Sequence, residues 1–511
     1  MCYVNGTISI DMVGKLIGRF FEKDKTIETY DQWLKRAYYK DRMEGLIRWR
    51  DQEESDLYDN VDIRRRLNKL RSLRKRKDDQ GLLFVLNEGI HGNMGGMGNP
   101  LLYAKARTGT KNLIIEYVDE IVSAMLHLAH VKESVVSLEE KIDFFHRASH
   151  CYGRSALMLS GGGQLGNFHL GVLKAIIEQQ LLPKIISGSS AGSIFAALLG
   201  TYTDERLIRF FKKETLRAEI KNEADIFEGM FKSRGSITVK HLETTLNRLI
   251  PDLTFQEAYE MTGRSINISV APAEAYQKSR MLNAISSPNV FIRSAVVASC
   301  AIPGVFPPVT LYAKNKEGET QPYLPSRKWV DGSMYNDLPS KRLTRMYGVN
   351  HFIVSMTNPF VLPFVSKKEQ SSETLAAIRR FSRVMIKEST QLNYSIAKKF
   401  FKYFPKLALA ANNINSVVQQ DYTGDINIIA DFSVVKPGNL LSKMTFEELE
   451  SLIHRGEQAA WPKIEAIRTT TKIGKALDQI IEMLDAQEAS LATRMLRRNM
   501  KGFEEELRFK N

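Results

Sequence analysis

The spacing of apolar positions changes rhythm twice along the chain. Over residues 1–150, apolar residues recur every three or four positions, as in "IVSAMLHLAHV", inside long charged stretches with few prolines. That spacing lines one face of a 3.6-residue helix and predicts a mostly helical region. From about residue 151 to 365 the apolar runs shorten. "SALMLS", "PKIIS", "SINISVAP", "NVFIRSAVV", "RKWVDG" and "HFIVSM" alternate with glycine turns and helix-compatible stretches. Strands that alternate with helices predict βαβ units and a largely parallel sheet; the stretch Ser294–Cys300 suits a helix equally. Residues 366–511 return to helical spacing in "ETLAAIRRFSRVMIKESTQL" and "FEELESLIHRGEQAAW", interrupted by a strand at "GDINIIA". The last forty residues read as one or two amphipathic helices. The expected class is therefore α/β, with a mainly parallel central sheet flanked by helical N- and C-terminal regions.

Composition narrows this picture without changing it. The 511 residues are 43% hydrophobic and 25% charged, enough for two or three cored domains. Cys2, Cys151 and Cys300 lie far apart and match neither metal nor disulfide spacing, which points to a reducing compartment. The first residues lack a basic-then-apolar leader, and no apolar run has spanning length. A cytoplasmic protein that is soluble or peripheral to a membrane is expected. The net charge of +14 is spread over all three regions instead of forming one basic module. A diffuse positive field suits an anionic lipid surface, and no nucleic-acid partner is expected.

Candidate chemistry begins with "KIISGSSAGSIFAALLG", Lys184–Gly200, where Gly-X-Ser-X-Gly joins an apolar strand to an apolar helix. Such a turn is either a nucleophile elbow that raises Ser190 or a tight connection of small residues. Upstream, Ala156–Leu159 runs into Gly161, Gly162 and Gly163 ahead of another helix. Glycines there leave backbone N–H groups free at the positive end of the helix dipole, suited to a phosphate or an oxyanion. The spacing is not that of a dinucleotide-binding loop. One βαβ unit separates the two loops, so both fall at the carboxyl edge of a parallel sheet. A serine nucleophile needs a base, and "KWVDGSMYNDLP" offers Asp331, in what is otherwise an ordinary Asp-Gly turn. Among histidines, His169 lies one turn into the glycine-loop helix, His351 begins a strand and His454 lies within a helix. A triad of Ser190, Asp331 and His351 remains an alternative. No cluster reads as a metal site.

Taken together, "SGGGQLGNFHLGVL", "GSSAGS", "ASCAIPGVFPPV" and "WVDGSMYNDLP" resemble, in order and spacing, the patatin-like phospholipases. The flanks "TYDQWLKRA", "GNMGGMGNPLLY", "GTKNLIIEYVDEI", "YTGDINI" and "GEQAAWPKI" are similar to the triacylglycerol-lipase branch, which carries a helical domain of unknown function before the patatin core. The resemblance runs from about Thr29 to Ile467. It implies a three-layer core over 151–365, a helical domain over 1–150, and a Ser190–Asp331 dyad that works without histidine or cofactor. It implies an oxyanion hole of the Gly161, Gly162 and Gly163 amides, with Leu165 where the family commonly has a basic residue. The implied substrate is a glycerolipid, triacylglycerol first and phospholipid second, met at a lipid droplet or membrane surface. A non-catalytic lipid-binding scaffold is the rival. Cys300 is expected to pack near the dyad, and Pro303, Pro307 and Pro308 to stiffen a loop beside the acyl pocket. Two segments suit an interface: the basic Arg64–Lys77, which could instead pair with the nearby acids, and the lysine–aromatic Ser395–Ala410.

Overall fold

The computed structural model of the chain describes residues 27–219, 221, 239–274, 277–303, 306–359, 424–430 and 444–509. The lysine–aromatic segment 395–410 and the expected helix at 373–392 lie outside the described residues.

The N-terminal region is helical, and its principal helices are α1 (Tyr30–Met43), α2 (Asn60–Arg76), α3 (Asn112–His130) and α4 (Leu138–Tyr152). Their starts follow from local chemistry. The side chains of Thr29, Asp59 and Ser137 each accept a first-turn N–H at the heads of α1, α2 and α4. Helix α2 buries Ile63, Leu67, Leu70 and Leu73, the spacing of one helical face, against the apolar side of α3. Its basic face is largely paired within the molecule. Arg74 grips Glu120 through bonds of 2.7 and 2.9 Å, Arg71 meets Glu116 at 3.2 Å, Arg66 meets Asp62 at 2.8 Å, and Arg64 pairs with Glu53. The density of arginines in Arg64–Lys77 thus serves a solvated, ion-paired helix.

Among the described residues the central sheet has seven strands. β1 (Arg154–Leu159), β2 (Ile185–Gly188), β3 (Ser265–Pro272), β8 (Val349–Met356) and β9 (Ile426–Ile429) run parallel in the order β3-β2-β1-β8-β9. β4 (Arg280–Leu282) and β7 (Trp329–Asp331) pair antiparallel with β3 at the edge. β5 (Leu311–Lys314) and β6 (Thr320–Tyr323) form a separate hairpin that the apolar pattern did not announce. α5 (Phe168–Glu178) joins β1 to β2, and α6 (Ala191–Thr201) follows β2. α7 (Ile292–Ser299) packs on β3 and β7, and α8 (Ser340–Tyr347) leads into β8. The run "NVFIRSAVV" is therefore mostly helix. Ile292, Ala295, Val296 and Ser299 repeat at helical spacing and bury one face.

Three layers follow from the alternation of β3. Gly200 of α6 lies against Ile266, whereas the Tyr347 hydroxyl at the end of α8 donates to Asn267. Adjacent strand residues point to opposite faces, so α6 and α8 cover the two sides of the sheet. Reversal of strand order at β1, with β2 on one side and β8 on the other, creates the switch point at which ligand sites form.

The chain closes with α9, a helix from Phe446 to Phe509. Leu449, Leu452, Ile453, Trp461, Ile464 and Ile467 belong to the core around the sheet. Ile473, Ala476, Leu477, Ile480 and Leu484 belong to the core of the N-terminal helices. α9 crosses α5 with almost no gap: a Cβ on Gly171 would overlap the Ile453 carbonyl, and one on Gly456 would overlap that of Phe168.

Candidate active site

Two glycine turns meet at the carboxyl edge. Gly188 and Gly192 bracket Ser190 because the strand end and the first helical turn touch. A Cβ on Gly192 would run into the Leu159 carbonyl, and one on Gly188 into that of Gly192. Ser190 itself sits at φ 49°, ψ −125°, a conformation that costs a non-glycine residue on the order of 1–3 kcal/mol. It is held there by its own N–H, which donates to Ser299 Oγ at 2.9 Å, while Ser299 donates onward to Ser269 O at 2.8 Å. Ser193 Oγ donates to Ser190 O at 2.6 Å. The strained elbow is thus braced by hydroxyls from two helices.

The glycine loop lies directly over this elbow. A Cβ on Gly161 would stand 3.2 Å from Ser190 Cβ and 3.1 Å from Ser333 Cβ, and one on Gly162 would overlap Thr357 Oγ1. Gly163 takes the left-handed φ of 55° that opens the short helical turn Gly163–Asn167. The first bond of that turn runs from Leu165 N–H to Gly162 O at 3.2 Å. Gly162 and Gly163 therefore stand at its open end, with no acceptor for their N–H groups among the described residues. Gly161 is different. Its N–H already donates to Asp337 Oδ1 at 2.8 Å, which corrects its expected place among the oxyanion donors: it is a tether. Leu165 is buried in the core and brings no charge to the loop.

Asp331 ends β7, with its N–H donated to Ala301 O at 2.9 Å. Its side chain is 1% exposed, accepts from Ser333 N–H at 2.8 Å, and has the Ser190 hydroxyl close enough to favour its ionised form. Burial pushes the carboxyl up to about 6 from an ordinary aspartate value, and the Ser190 and Ser333 groups beside it hold back part of the rise. Serine and carboxylate, remote in sequence, are brought together in a site where Ser190 is only 6% exposed.

Around them is a buried polar network whose members sequence reasoning missed. Asp337 accepts from Gly161 N–H with Oδ1 and from Asn358 Nδ2 with Oδ2, at 2.8 and 2.7 Å. Burial raises this carboxyl to about 7, and the neighbouring Asp331 charge adds to the rise. Thr357 N–H donates to Ser160 Oγ at 2.8 Å, and its hydroxyl to Gly161 O at 3.2 Å. Asp337 and Ser299 both lie inside quoted motifs, "WVDGSMYNDLP" and "ASCAIPGVFPPV", where a polar residue in an apolar setting was the available signal.

The histidines are occupied elsewhere. His169 is wholly buried and pushed down to about 4 by desolvation, hence neutral at physiological pH. Its Nε2 donates to Ser160 O at 3.0 Å, and its Nδ1 accepts from Ser355 Oγ at 2.7 Å, so it pins the glycine loop without reaching the dyad. His351 pairs in register with Ser155, near the start of β1, while the site lies beyond Leu159 at the other end. Its Nδ1 meets Ser155 Oγ at 3.0 Å, which removes it from any triad with Ser190. His454 bonds Gln458 on α9. Cys300 packs as expected: its buried thiol lies 3.4 Å from Ser190 O and is pushed upward by desolvation and the Asp331 charge. Pro307 and Pro308 are exposed and Pro303 is half-buried. No group of histidine, cysteine and carboxylate suited to a metal occurs among the described residues.

Comparison with known proteins agrees with this architecture. Residues 157–343 match the profile described as Patatin-like phospholipase, and residues 15–150 match a domain of unknown function, DUF3336. Triacylglycerol lipase ptl3 of Schizosaccharomyces pombe is 34% identical over 452 residues, which covers 86% of this chain and 92% of that protein. Triacylglycerol lipase SDP1L of Arabidopsis thaliana is 33% identical over 89% of this chain and 57% of its own length. Triacylglycerol lipase 4 of Saccharomyces cerevisiae is 34% identical over 92% of this chain and 53% of its own. The chain thus spans little more than half the length of the last two. With a strained serine elbow, a glycine loop and a buried aspartate on a three-layer sheet, and with near end-to-end similarity to one of these proteins, the chain belongs to the patatin-like phospholipase family.

Proposed function

We propose that the chain is a serine acyl hydrolase that cleaves ester bonds of glycerolipids, triacylglycerol foremost, through a Ser190–Asp331 dyad and an acyl-serine intermediate. One observation carries the reading: the Ser190 hydroxyl lies beside a buried carboxylate, next to two glycine amides that have no acceptor among the described residues. Ser190 Oγ attacks the ester carbonyl as its proton passes to Asp331, and the negative charge on the carbonyl oxygen is taken up by the Gly162 and Gly163 N–H groups. Collapse of the intermediate returns the proton to the departing alcohol. Water, deprotonated by Asp331, then releases the fatty acid and restores Ser190. An aspartate of ordinary pKa near ~3.9 is a weak base for a hydroxyl. Burial that lifts Asp331 to about 6 brings it near the working pH.

Triacylglycerol is favoured because the relatives above are named triacylglycerol lipases. No helix among the described residues is long and apolar enough to cross a membrane; access to a droplet or membrane surface from the cytoplasmic side is part of the same proposal. The test is hydrolysis of neutral glycerolipids and phospholipids by the full chain beside Ser190→Ala and Asp331→Asn. Each substitution is expected to lower the rate by about 10³-fold or more. Preference for phospholipid over triacylglycerol would shift the substrate assignment. A wild-type chain that neither hydrolyses esters nor takes up a fluorophosphonate at Ser190 would leave a lipid-binding scaffold.

A further inference from the structure

The dyad chemistry leaves a second buried carboxyl, close to the elbow, unused. Asp337 is 0% exposed and lies six residues beyond Asp331, just past the short helical turn Ser333–Asn336. Besides its side-chain bonds to Gly161 N–H and Asn358 Nδ2, its main-chain oxygen accepts from Ser189 Oγ at 2.8 Å. This single residue therefore joins four separate segments: the glycine loop, the turn that carries the nucleophile, the segment after β7 and its base, and the segment just past β8.

Gly161–Gly163 have no side chains of their own to lock them, and glycine has more backbone freedom to lose than any other residue. The Gly161 unit is nonetheless held at both ends. Its N–H is fixed by Asp337, and its C=O accepts from the Thr357 hydroxyl at 3.2 Å. A trans peptide is planar, with C=O and the next N–H pointing in opposite directions. Fixing the Gly161 carbonyl against Thr357 therefore aims the Gly162 N–H away from β8. We propose that Asp337 is a positioning residue: by gripping Gly161 N–H, it orients the glycine loop so that the following amides face the oxyanion formed at Ser190. This inference rests on the dyad reading given above. It assigns to the second carboxyl an effect on transition-state stabilisation that passes through Gly161, not through contact with substrate.

A purely structural buried acid would affect stability, with substrate binding and turnover changing together or not at all. A positioning role separates them. For the full chain acting on a soluble p-nitrophenyl acyl ester, Asp337→Ala is expected to lower kcat about 10–100-fold with KM within about twofold, somewhat less than the loss of a whole oxyanion donor. Asp337→Asn keeps an oxygen for Gly161 N–H, and a flipped Asn358 amide can accept from the new NH₂. It is expected to retain kcat within about threefold. Wild-type kcat in Asp337→Ala overturns the proposal, as does an equal fall in Asp337→Ala and Asp337→Asn, which would make the charge the active element. If Asp337→Ala does not fold, Asn358→Ala is read instead, since it removes the amide that holds the carboxyl at Oδ2. A kcat fall of about 3–10-fold at unchanged KM supports the role, and no change overturns it. Ser190→Ala runs beside every variant. An inactive wild type, or an active Ser190→Ala, defeats the dyad reading. An active wild type with an inactive Ser190→Ala and a fully active Asp337→Ala defeats this inference alone.

Discussion

Asp331 carries the same conflict seen at many buried bases: what makes it basic also makes it costly to fold. Its carboxyl, raised to about 6 by burial, binds a proton more tightly in the folded chain than in the unfolded one. A raised carboxyl pKa therefore favours the folded state at low pH, and that contribution disappears as pH rises through about 6. Activity has the opposite sign, because the ionised form is the base. Hydrolysis should climb as pH rises through the same region. Asp331→Asn, which removes the buried charge, should be inactive yet more stable at pH 8 by on the order of 2 kcal/mol. That gain should shrink as pH falls below about 6 and be absent near the unfolded value. Urea unfolding of both proteins at pH 8 and pH 5 measures it; a variant less stable than wild type at pH 8 would contradict the burial argument. Ser190 illustrates the same trade in the backbone, where the strained φ of 49° is held by hydroxyls from Ser299 and Ser193.

The helix that follows the glycine loop is positioned by another helix. α5 and α9 cross at Gly171 and Gly456, where backbone meets backbone, and the buried Lys174–Glu457 pair at 2.8 Å closes the contact alongside. Nothing at such a crossing can yield as a flexible side chain does. Gly171→Ala is therefore expected to push the helices apart and cost about 1–3 kcal/mol, the usual range for overpacking. Because α5 continues directly from the loop bearing Gly162 and Gly163, catalytic rate should fall along with stability. Parallel thermal melts and ester hydrolysis check both, and an unaffected melt would show that the crossing tolerates a methyl group.

Over its full length, α9 makes one body of two cores. Its apolar residues through Ile467 pack against the sheet domain, and those from Ile473 to Leu484 pack against α3 and α4 in the N-terminal core. Each buried leucine or isoleucine contributes roughly 1.5–3 kcal/mol relative to exposure. A chain ended after Thr470 should thus lose a wall of the N-terminal core and become protease-sensitive there. A chain ended after Ala489 keeps every residue of α9 that is buried among the described side chains and should melt like the full chain, because residues 485–490 are exposed. Limited proteolysis of the two truncations separates the outcomes, and equal resistance would mean that the N-terminal core does not need α9.

Much of this was legible along the chain because it depends on neighbours in sequence. Strand–turn–helix units, the glycines bracketing Ser190, the glycine loop and the late strand at Ile426–Ile429 follow from local periodicity and from the steric freedom of glycine. The stretch Ser294–Cys300 was ambiguous for the same reason: a short apolar stretch satisfies either period until a sheet packs against it. What local pattern could not carry was every property that depends on a partner far away in sequence. The basicity of Asp331 comes from desolvation, which exists only once the core has closed over it. Removal of His351 from the site required the register of β8 on β1. The pairing of the arginines in α2 required α3 alongside. Gly161, a free donor in the sequence, became a tether because folding delivered Asp337 to its N–H. Local sterics specify which elements form; burial and long-range contacts determine the charge state and direction of the groups those elements carry.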